Sequence, residues 1–221
     1  MMKYFLIALG AVVFTVSLAR ANPIIEEEQT FMPDRWSKGL HLLVGGGTNT
    51  GVYVSDSNRL DVGVGPVLKT EVGYFFNDRW AAEWNSIVKF NFVDGYTVWD
   101  SLFTFGARYR FDSMSGMTGP FLRAFFGTTV NVLYFHSSPP PRYANFSRLQ
   151  SEGPAVGFGW GSMEQTSKGL NWYWEALVTG EWLEVSEAIN LDKDVPVSER
   201  SYLDDHAALY TLYVTIGVVA F

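Results

Sequence analysis

The chain has 221 residues, of which 48% are hydrophobic, 16% are aromatic and only 18% are charged. Its formal net charge of −7 provides no basic surface for nucleic acid, so we expect no nucleic-acid partner. The sequence contains no cysteine, which excludes a disulfide framework, a thiolate metal site and attachment of lipid to a cysteine. The aromatic and apolar content exceeds what the core of a small soluble domain needs.

The N-terminal segment has the organisation of a secretory signal peptide. Lys3 precedes the apolar run Tyr4 to Leu18, and Ala19-Arg20-Ala21 places small residues at the two positions that determine cleavage. The run is shorter than the roughly 20 apolar residues that a spanning helix needs. The predicted organisation is a signal peptide at residues 1–21, a polar periplasmic segment at residues 22–37 and one folded domain at residues 38–221.

In the remaining chain, apolar and polar residues alternate in segments that are separated by clusters of Gly, Asn, Asp, Ser and Pro. A period of two residues is typical of β-strands whose two faces meet different environments. A helical period fits none of these segments as well. The predicted strands are Gly39–Gly47, Val62–Phe76, Trp80–Phe92, Thr97–Phe111, Pro120–Phe135, Pro154–Glu164, Leu170–Val185 and Ala207–Phe221.

The apolar faces of these strands carry many large rings. A soluble barrel places its apolar side chains inside, whereas a membrane barrel places them outside. The interior of eight strands is only just wide enough for ordinary side chains, so these rings do not all fit inside. We therefore predict an all-β fold, an eight-stranded antiparallel up-and-down transmembrane β-barrel with its rings against lipid. The rings include those of Trp84, Trp99, Phe103, Phe105, Trp172, Trp174 and Trp182.

The polar faces of the strands then line the interior of the barrel. Five basic and five acidic residues lie on them, so the interior charge is balanced. Because an unpaired buried charge costs several kcal/mol, balance is what an internal network of ion pairs requires. The predicted network consists of Lys69, Glu71, Glu83, Lys89, Asp100, Arg108, Arg110, Arg123, Glu175 and Glu181.

The lengths of the links between strands predict the orientation of the barrel. Secretion places the N-terminus in the periplasm, and an even number of strands returns the C-terminus there. The links after odd strands should then be long and extracellular, as three of the four are and the short Val93–Tyr96 is not. The long loops are candidates for binding a surface ligand. The predicted links after odd strands are Thr48–Asp61, Val93–Tyr96, His136–Gly153 and Ser186–Asp205, whereas those after even strands are Asn77–Arg79, Asp112–Gly119 and Gln165–Gly169.

The signal peptide, the eight alternating strands, the segment VGYFFNDRWAAEWN at Val72–Asn85 and the terminal Phe221 resemble small outer-membrane barrels of the OmpA/OmpX/OmpW type. The resemblance implies location in a bacterial outer membrane and contact with its lipid and lipopolysaccharide. It also implies that Phe221 is the signal read by the barrel-assembly machinery.

The last strand departs from the pattern of that family, which favours apolar residues at alternate positions counted back from the end. In this chain that set contains Gly217 and Thr215, whereas the other set is more apolar. The sequence therefore leaves the register of this strand open. The more apolar set consists of Leu212, Val214, Ile216 and Val218.

The three histidines, His41, His136 and His206, lie in separate segments without metal-ligand spacing. The run His136-Ser137-Ser138 resembles the outer-membrane lipid A deacylases, which use a His and a Ser two residues apart with an acidic partner. Here it leads directly into Pro139-Pro140-Pro141, and no companion motif places an acid beside it. We therefore expect no catalytic residue, no cofactor and no metal ligand.

Three functions fit the predicted barrel. The first is a non-enzymatic structural or surface-binding protein that presents its long loops outside the cell. The second is a narrow channel for small or apolar solutes, which Gly157, Gly159 and Gly161 favour by leaving space on one wall of the interior. The third is a lipid-modifying hydrolase that uses His136 and Ser138.

Overall fold

A computed structural model describes residues 39–55, 59–111, 119–136, 146–165, 170–190 and 206–220. The predicted signal peptide and periplasmic segment, Ser138 and Phe221 lie outside these residues, so the roles assigned to them stay predictions. Within these ranges no helix is long and apolar enough to cross a membrane.

The chain forms eight antiparallel strands that pair in chain order, and β1 pairs with β8 to close the barrel. The predicted fold class is confirmed. Closure leaves no strand edge unpaired, which is the condition for placing a sheet in lipid. The strands are β1 (Gly39–Ser55), β2 (Arg59–Phe75), β3 (Trp80–Val93), β4 (Tyr96–Arg110), β5 (Gly119–Phe135), β6 (Phe146–Gln165), β7 (Asn171–Asn190) and β8 (His206–Ala220).

The two ends of the barrel are distinguished by the position of the chain termini. The terminus end contains the first residue of β1, Gly39, and the last residue of β8, Ala220. The distal end is the opposite one. The links at the terminus end are residues 76–79, 111–118 and 166–170, whereas those at the distal end are residues 56–58, 94–95, 136–145 and 191–205.

The predicted bounds of the distal loops are wrong, because the strands beside them extend further than expected, above all β1, β2, β6 and β7. β1 continues to Ser55, so the predicted loop Thr48–Asp61 shrinks to residues 56–58. In the same way, β6 begins at Phe146 and β7 ends at Asn190. Their polar and glycine-rich residues resemble loop sequence, but each has a neighbouring strand that pairs with its backbone. Pairing in a ladder overrides local composition.

The outward face of the barrel carries the rings that the sequence placed there. Trp84, Phe103, Phe105 and Trp182 are each about half exposed. On β8 the more apolar set also points outward, since Ile216 is 59% exposed whereas Thr215 is buried. This arrangement settles the register of the last strand. Trp99, Trp172 and Trp174 are partly buried. The Trp99 ring packs against Phe90, and the Trp174 ring packs against Trp160.

A bulge in β2 changes which residues face inward. Val62 and Val67 are both buried, although an odd number of positions separates them. Gly63 lies between them with a φ of 66°, a conformation that glycine adopts without steric cost. The Asp61 carboxylate accepts a hydrogen bond from the Gly63 amide at 2.9 Å, which fixes the bulge.

The interior changes character along the barrel axis. Ionic side chains fill much of its central part and of the part nearer the terminus end, whereas the distal part is an apolar core. The distal end therefore has an apolar interior of the kind found in a soluble barrel, contrary to the polar interior expected along the whole barrel. The apolar core consists of Tyr53, Val62, Tyr96, Val98, Leu133, Phe135, Leu149, Leu183, Ala207 and Leu209.

Candidate functional site in the ionic interior

The structure places all ten residues of the predicted network on the inward face, and each is at most 3% exposed. They do not form one network, because the ion pairs fall into two groups. The terminus-side cluster consists of Lys69, Glu71, Glu83, Arg108, Arg123 and Glu175, whereas the central cluster consists of Lys89, Asp100 and Glu181 with the hydroxyls of Thr129, Thr179 and Thr211.

Arg123 is the centre of the terminus-side cluster. Its guanidinium lies 3.0 Å from a Glu71 carboxylate oxygen and 2.8 Å from oxygens of Glu83 and Glu175. It also donates to the side-chain oxygen of Asn85 at 2.6 Å. A planar guanidinium with five N–H donors is suited to reach several acceptors at once. One side chain from β5 therefore binds carboxylates from β2, β3 and β7.

Two further cations complete the terminus-side cluster. Arg108 contacts Glu71 at 2.6 Å and Glu83 at 2.5 Å, and Lys69 contacts Glu71 at 2.9 Å. Lys69 also forms an ion pair with Glu175. Three cations therefore face three carboxylates, and the formal charge of the cluster balances without another ion.

The central cluster joins strands on opposite sides of the barrel. The Lys89 ammonium lies 2.5 Å from an oxygen of Asp100 and 2.5 Å from an oxygen of Glu181, and it donates to the Thr211 hydroxyl at 3.0 Å. The Thr129 hydroxyl lies 2.6 Å from Asp100 and 2.9 Å from Glu181. The five residues come from β3, β4, β5, β7 and β8.

Arg110 belongs to neither cluster as these are defined. It is 1% exposed, and its guanidinium lies 5.5 Å from the centroid of the Phe75 ring. Two other arginines also lie over interior rings, Arg108 over Phe121 at 4.3 Å and Arg123 over Phe125 at 5.6 Å. The electron-rich face of a ring attracts such a cation, most strongly where water is excluded.

Gly157, Gly159 and Gly161 do not leave open space, which corrects the sequence-based argument for a channel. A Cβ atom at Gly157 would lie 2.2 Å from the Phe125 ring, and one at Gly159 would lie 2.7 Å from the Leu177 side chain. At Gly161 it would lie 2.3 Å from the carbonyl oxygen of Trp174. The glycines therefore make room for large side chains of the neighbouring strands.

Three of the buried groups have the spacing of a metal site. Ligand atoms of His41, Glu71 and Glu83 all lie within 4.8 Å of one another, and His41 Nε2 is 3.1 Å from Glu71. The sequence did not show this spacing because the residues come from β1, β2 and β3. Both carboxylates already contact the guanidinium groups of Arg108 and Arg123, so the positive charge that a metal ion would supply is present.

The remaining histidines lie away from the ionic interior. The exposed His136 follows β5, and its Nε2 lies 2.8 Å from the Thr97 hydroxyl on the outer face of the neighbouring strand. His206 is the first residue of β8 and is also exposed. The contact of His136 is with a hydroxyl and not with a carboxylate, so it is not the base–acid pair of a catalytic triad. His206 lies opposite Glu184 on β7, and both side chains are exposed.

No protein family known from sequence matches the chain, and no curated protein matches it by sequence. Solved structures do match it. Ail, the attachment invasion locus protein of Yersinia pestis, is 14% identical with a TM-score of 0.53, and the match covers 82% of this chain and 99% of Ail in its complex with the heparin analogue sucrose octasulfate.

Two further solved structures are similar. Neisserial surface protein A is 13% identical with a TM-score of 0.48, and the match covers 80% of this chain and 96% of that protein. The outer membrane protein OprG from Pseudomonas aeruginosa is 11% identical with a TM-score of 0.44, covering 83% of this chain and 95% of OprG.

The closed barrel, its outward rings and its ionic interior define a class of protein, the small eight-stranded outer-membrane β-barrels. The likeness to Ail shows the same fold at low sequence identity. The chain therefore has the fold of the OmpA/OmpX/OmpW-type barrels that its sequence resembles.

Proposed function

We propose that the protein is a non-enzymatic, non-conducting outer-membrane barrel that holds its distal loops outside the cell, with both termini in the periplasm. The observation that carries this proposal is the filled interior. Arg123 and Glu175 near the terminus end, Lys89 in the centre and Leu133 near the distal end are each at most 1% exposed.

A filled interior argues against the channel because conduction needs a continuous path for water or solute. The side chains that cross the barrel do so in ion pairs and hydrogen bonds, and opening a path would break several of them. Breaking a buried pair by removing one partner costs about 3–5 kcal/mol. We infer that the two ionic clusters serve to hold the strands together rather than to pass ions.

Conductance of the purified protein in a planar lipid bilayer tests this proposal. Protease protection of the barrel first verifies that the protein has inserted. We then expect no current through the wild type. A matched pair of variants sharpens the test, since Arg123→Ala shortens a side chain that crosses the interior, whereas Arg79→Ala alters an exposed turn. Stepwise currents from the wild type would support the channel and overturn the proposal.

The hydrolase receives no support from the described residues, because His136 contacts a threonine on the outer face. Lipid A mass profiles from cells that express the wild type or His136→Ala test it. We expect identical profiles, and loss of a deacylated species only in the variant would establish an enzyme.

The chemistry of a surface partner follows from the sequence of the longest distal link. Residues 191–205 contain five acidic residues and two basic ones. Ail was solved with a heparin analogue, a polyanion, whereas an acidic loop repels polyanions and attracts cationic surfaces. We propose that the loops bind a basic partner.

Immobilised heparin and immobilised poly-lysine provide matched probes for that surface. We expect the purified barrel to bind poly-lysine in a salt-sensitive manner and to pass through heparin. Changing Asp192, Asp194 and Glu199 to their amides should weaken the binding to poly-lysine. Retention on heparin would show that the charge argument is wrong.

Assembly is proposed to depend on Phe221, read by the barrel-assembly machinery, and the outward rings are proposed to contact outer-membrane lipid and lipopolysaccharide. Phe221→Ala should reduce the fraction of heat-modifiable, folded protein in the membrane, whereas Phe221→Trp should retain it. Equal folded fractions for the two variants would remove this role.

A further inference from the structure

The central cluster contains more negative than positive charge when its groups have their ordinary ionisation. Asp100 and Glu181 carry two negative charges, and Lys89 supplies one positive charge. All three side chains are at most 1% exposed, so water does not compensate the difference. An excess of buried charge is costly, and it favours uptake of a neutralising ion.

The hydrogen bonds of the cluster show which contact needs an additional positive ion. Lys89 donates to Glu181 Oε1 and to the Thr211 hydroxyl, and its ammonium forms an ion pair with Asp100 Oδ2 at 2.5 Å. The Thr179 hydroxyl donates to Glu181 Oε1 at 2.9 Å and lies 2.5 Å from the Thr211 hydroxyl. The Thr211 hydroxyl therefore donates to Thr179, and each of these contacts has one proton.

Thr129 is the exception. Its hydroxyl lies 2.6 Å from Asp100 Oδ1 and 2.9 Å from Glu181 Oε2, yet it has one proton to donate. With both carboxylates ionised, one of these contacts would bring two oxygen lone pairs together with no hydrogen between them. A proton on either carboxyl group removes the repulsion, since that group donates to the Thr129 oxygen while Thr129 donates to the other.

We propose that Asp100 and Glu181 share one proton through the Thr129 hydroxyl, so that the folded barrel retains a carboxylic acid in its centre. Charge and hydrogen-bond counting lead independently to the same single proton. Because the five strands that meet at the cluster are held together with this proton in place, their association weakens at alkaline pH.

The other titratable groups along the bore do not supply the missing charge. Tyr213 on β8 lies beside Lys89, whose ammonium is 5.9 Å from its ring centroid. The terminus-side cluster balances itself, and the described inward residues of β6 include no titratable group. The remaining inward titratable groups are His41 on β1, Lys69 and Glu71 on β2, Glu83 on β3, Arg108 and Arg110 on β4, Arg123 on β5, Glu175 and Tyr173 on β7, and Tyr53 and Tyr96 nearer the distal end.

Infrared spectroscopy detects the proton directly. The carbonyl band of a protonated carboxyl group lies above the carboxylate bands and shifts in D2O, and it is visible in a detergent without carbonyl groups. We expect this band in the folded wild type at neutral pH and its loss in both Asp100→Asn and Glu181→Gln, because the remaining carboxylate then pairs with Lys89. Glu152→Gln, on the exposed outer face, should retain it.

Stability tests whether Lys89 needs only one ionised carboxylate in this cluster. Either amide reproduces the neutral acid by donating to Thr129, so each single variant should melt close to the wild type. The double variant Asp100→Asn/Glu181→Gln leaves Lys89 without a carboxylate, and its melting temperature should fall by far more than the sum of the two single changes.

The pH dependence follows by linkage. In the unfolded chain both carboxyl groups ionise above about pH 4–5, so the folded state binds one more proton than the unfolded state. Above that pH the folding equilibrium constant of the wild type should fall by up to about tenfold per pH unit relative to Asp100→Asn, until the proton is lost. The proposal is overturned if the folded wild type lacks the carbonyl band, or if the wild type and Asp100→Asn have parallel profiles of stability against pH. It is also overturned if added sodium or potassium raises the stability of the wild type.

Discussion

Removing the Arg123 guanidinium gives the sharpest measurement of what the ionic interior contributes. Arg123→Met retains most of the aliphatic length of the side chain but leaves the three carboxylates of the terminus-side cluster facing two cations. The lost contacts are those to Glu71, Glu83 and Glu175 at 2.8–3.0 Å, all of them buried. Breaking a buried ion pair costs about 3–5 kcal/mol.

A loss of that size lowers the folding equilibrium constant by roughly two to four powers of ten. Urea unfolding of the detergent-folded barrel, followed by tryptophan fluorescence, measures it as a shift in the midpoint at constant slope. Arg79→Met is the matched control, because Arg79 is exposed in the turn between β2 and β3 and its hydrogen bond to the Tyr109 hydroxyl is long, at 3.4 Å. We expect little change in the control.

A double-mutant cycle tests whether the loss arises from charge. Glu83→Gln removes one of the carboxylates that Arg123→Met leaves unbalanced, so the double variant should lose less stability than the two single variants added together. If Arg123→Met unfolds at the same urea concentration as Arg79→Met, the ion pairs do not hold the strands together and the reasoning fails.

Further changes test other parts of the structure. Gly161→Ala should destabilise the barrel by about 1–3 kcal/mol through overpacking, because its Cβ would lie 2.3 Å from a backbone oxygen, whereas Gly46→Ala meets nothing closer than 3.5 Å and should be tolerated; equal midpoints would contradict the packing argument. Phe103→Lys on the outward face should cost about 2–4 kcal/mol if this ring lies near the bilayer midplane. Thr97→Lys at the distal end should cost no more than about 1 kcal/mol, and the reverse order would mean that the membrane surrounds a different part of the barrel. Neutralising Arg108 by Arg108→Met should also lower the urea midpoint, since two buried carboxylates lose a partner.

The strands and their faces were predictable because alternation is a local property of the chain. Trp84 and Glu83, for example, point in opposite directions whatever their partners are, and the membrane reverses the usual assignment of faces. The ends of the strands were less predictable. Arg148 to Gly153 resemble a loop by composition, yet β5 pairs with all of these residues and β7 with Arg148 to Glu152.

The residues of the candidate site were predictable from the sequence, but the ion pairs between them were not. Inward charges are visible in the sequence, whereas the partner of each depends on barrel closure and strand stagger. Lys89 meets Glu181 across 92 positions of sequence, and Lys69 meets Glu175 across 106. The space beside Gly157 and Gly161 was misread for the same reason, because the rings that fill it come from another strand.

The sequence by itself determined that the chain forms eight strands, which side chains face lipid and which face inward, because a period of two and the hydrophobic effect act on each strand separately. Only the tertiary structure decided that the inward charges form two clusters, one balanced and one with a carboxylate in excess. It also decided that an apolar core fills the distal interior. Coulomb forces and close packing act between strands, so those outcomes depend on register and on closure of the barrel.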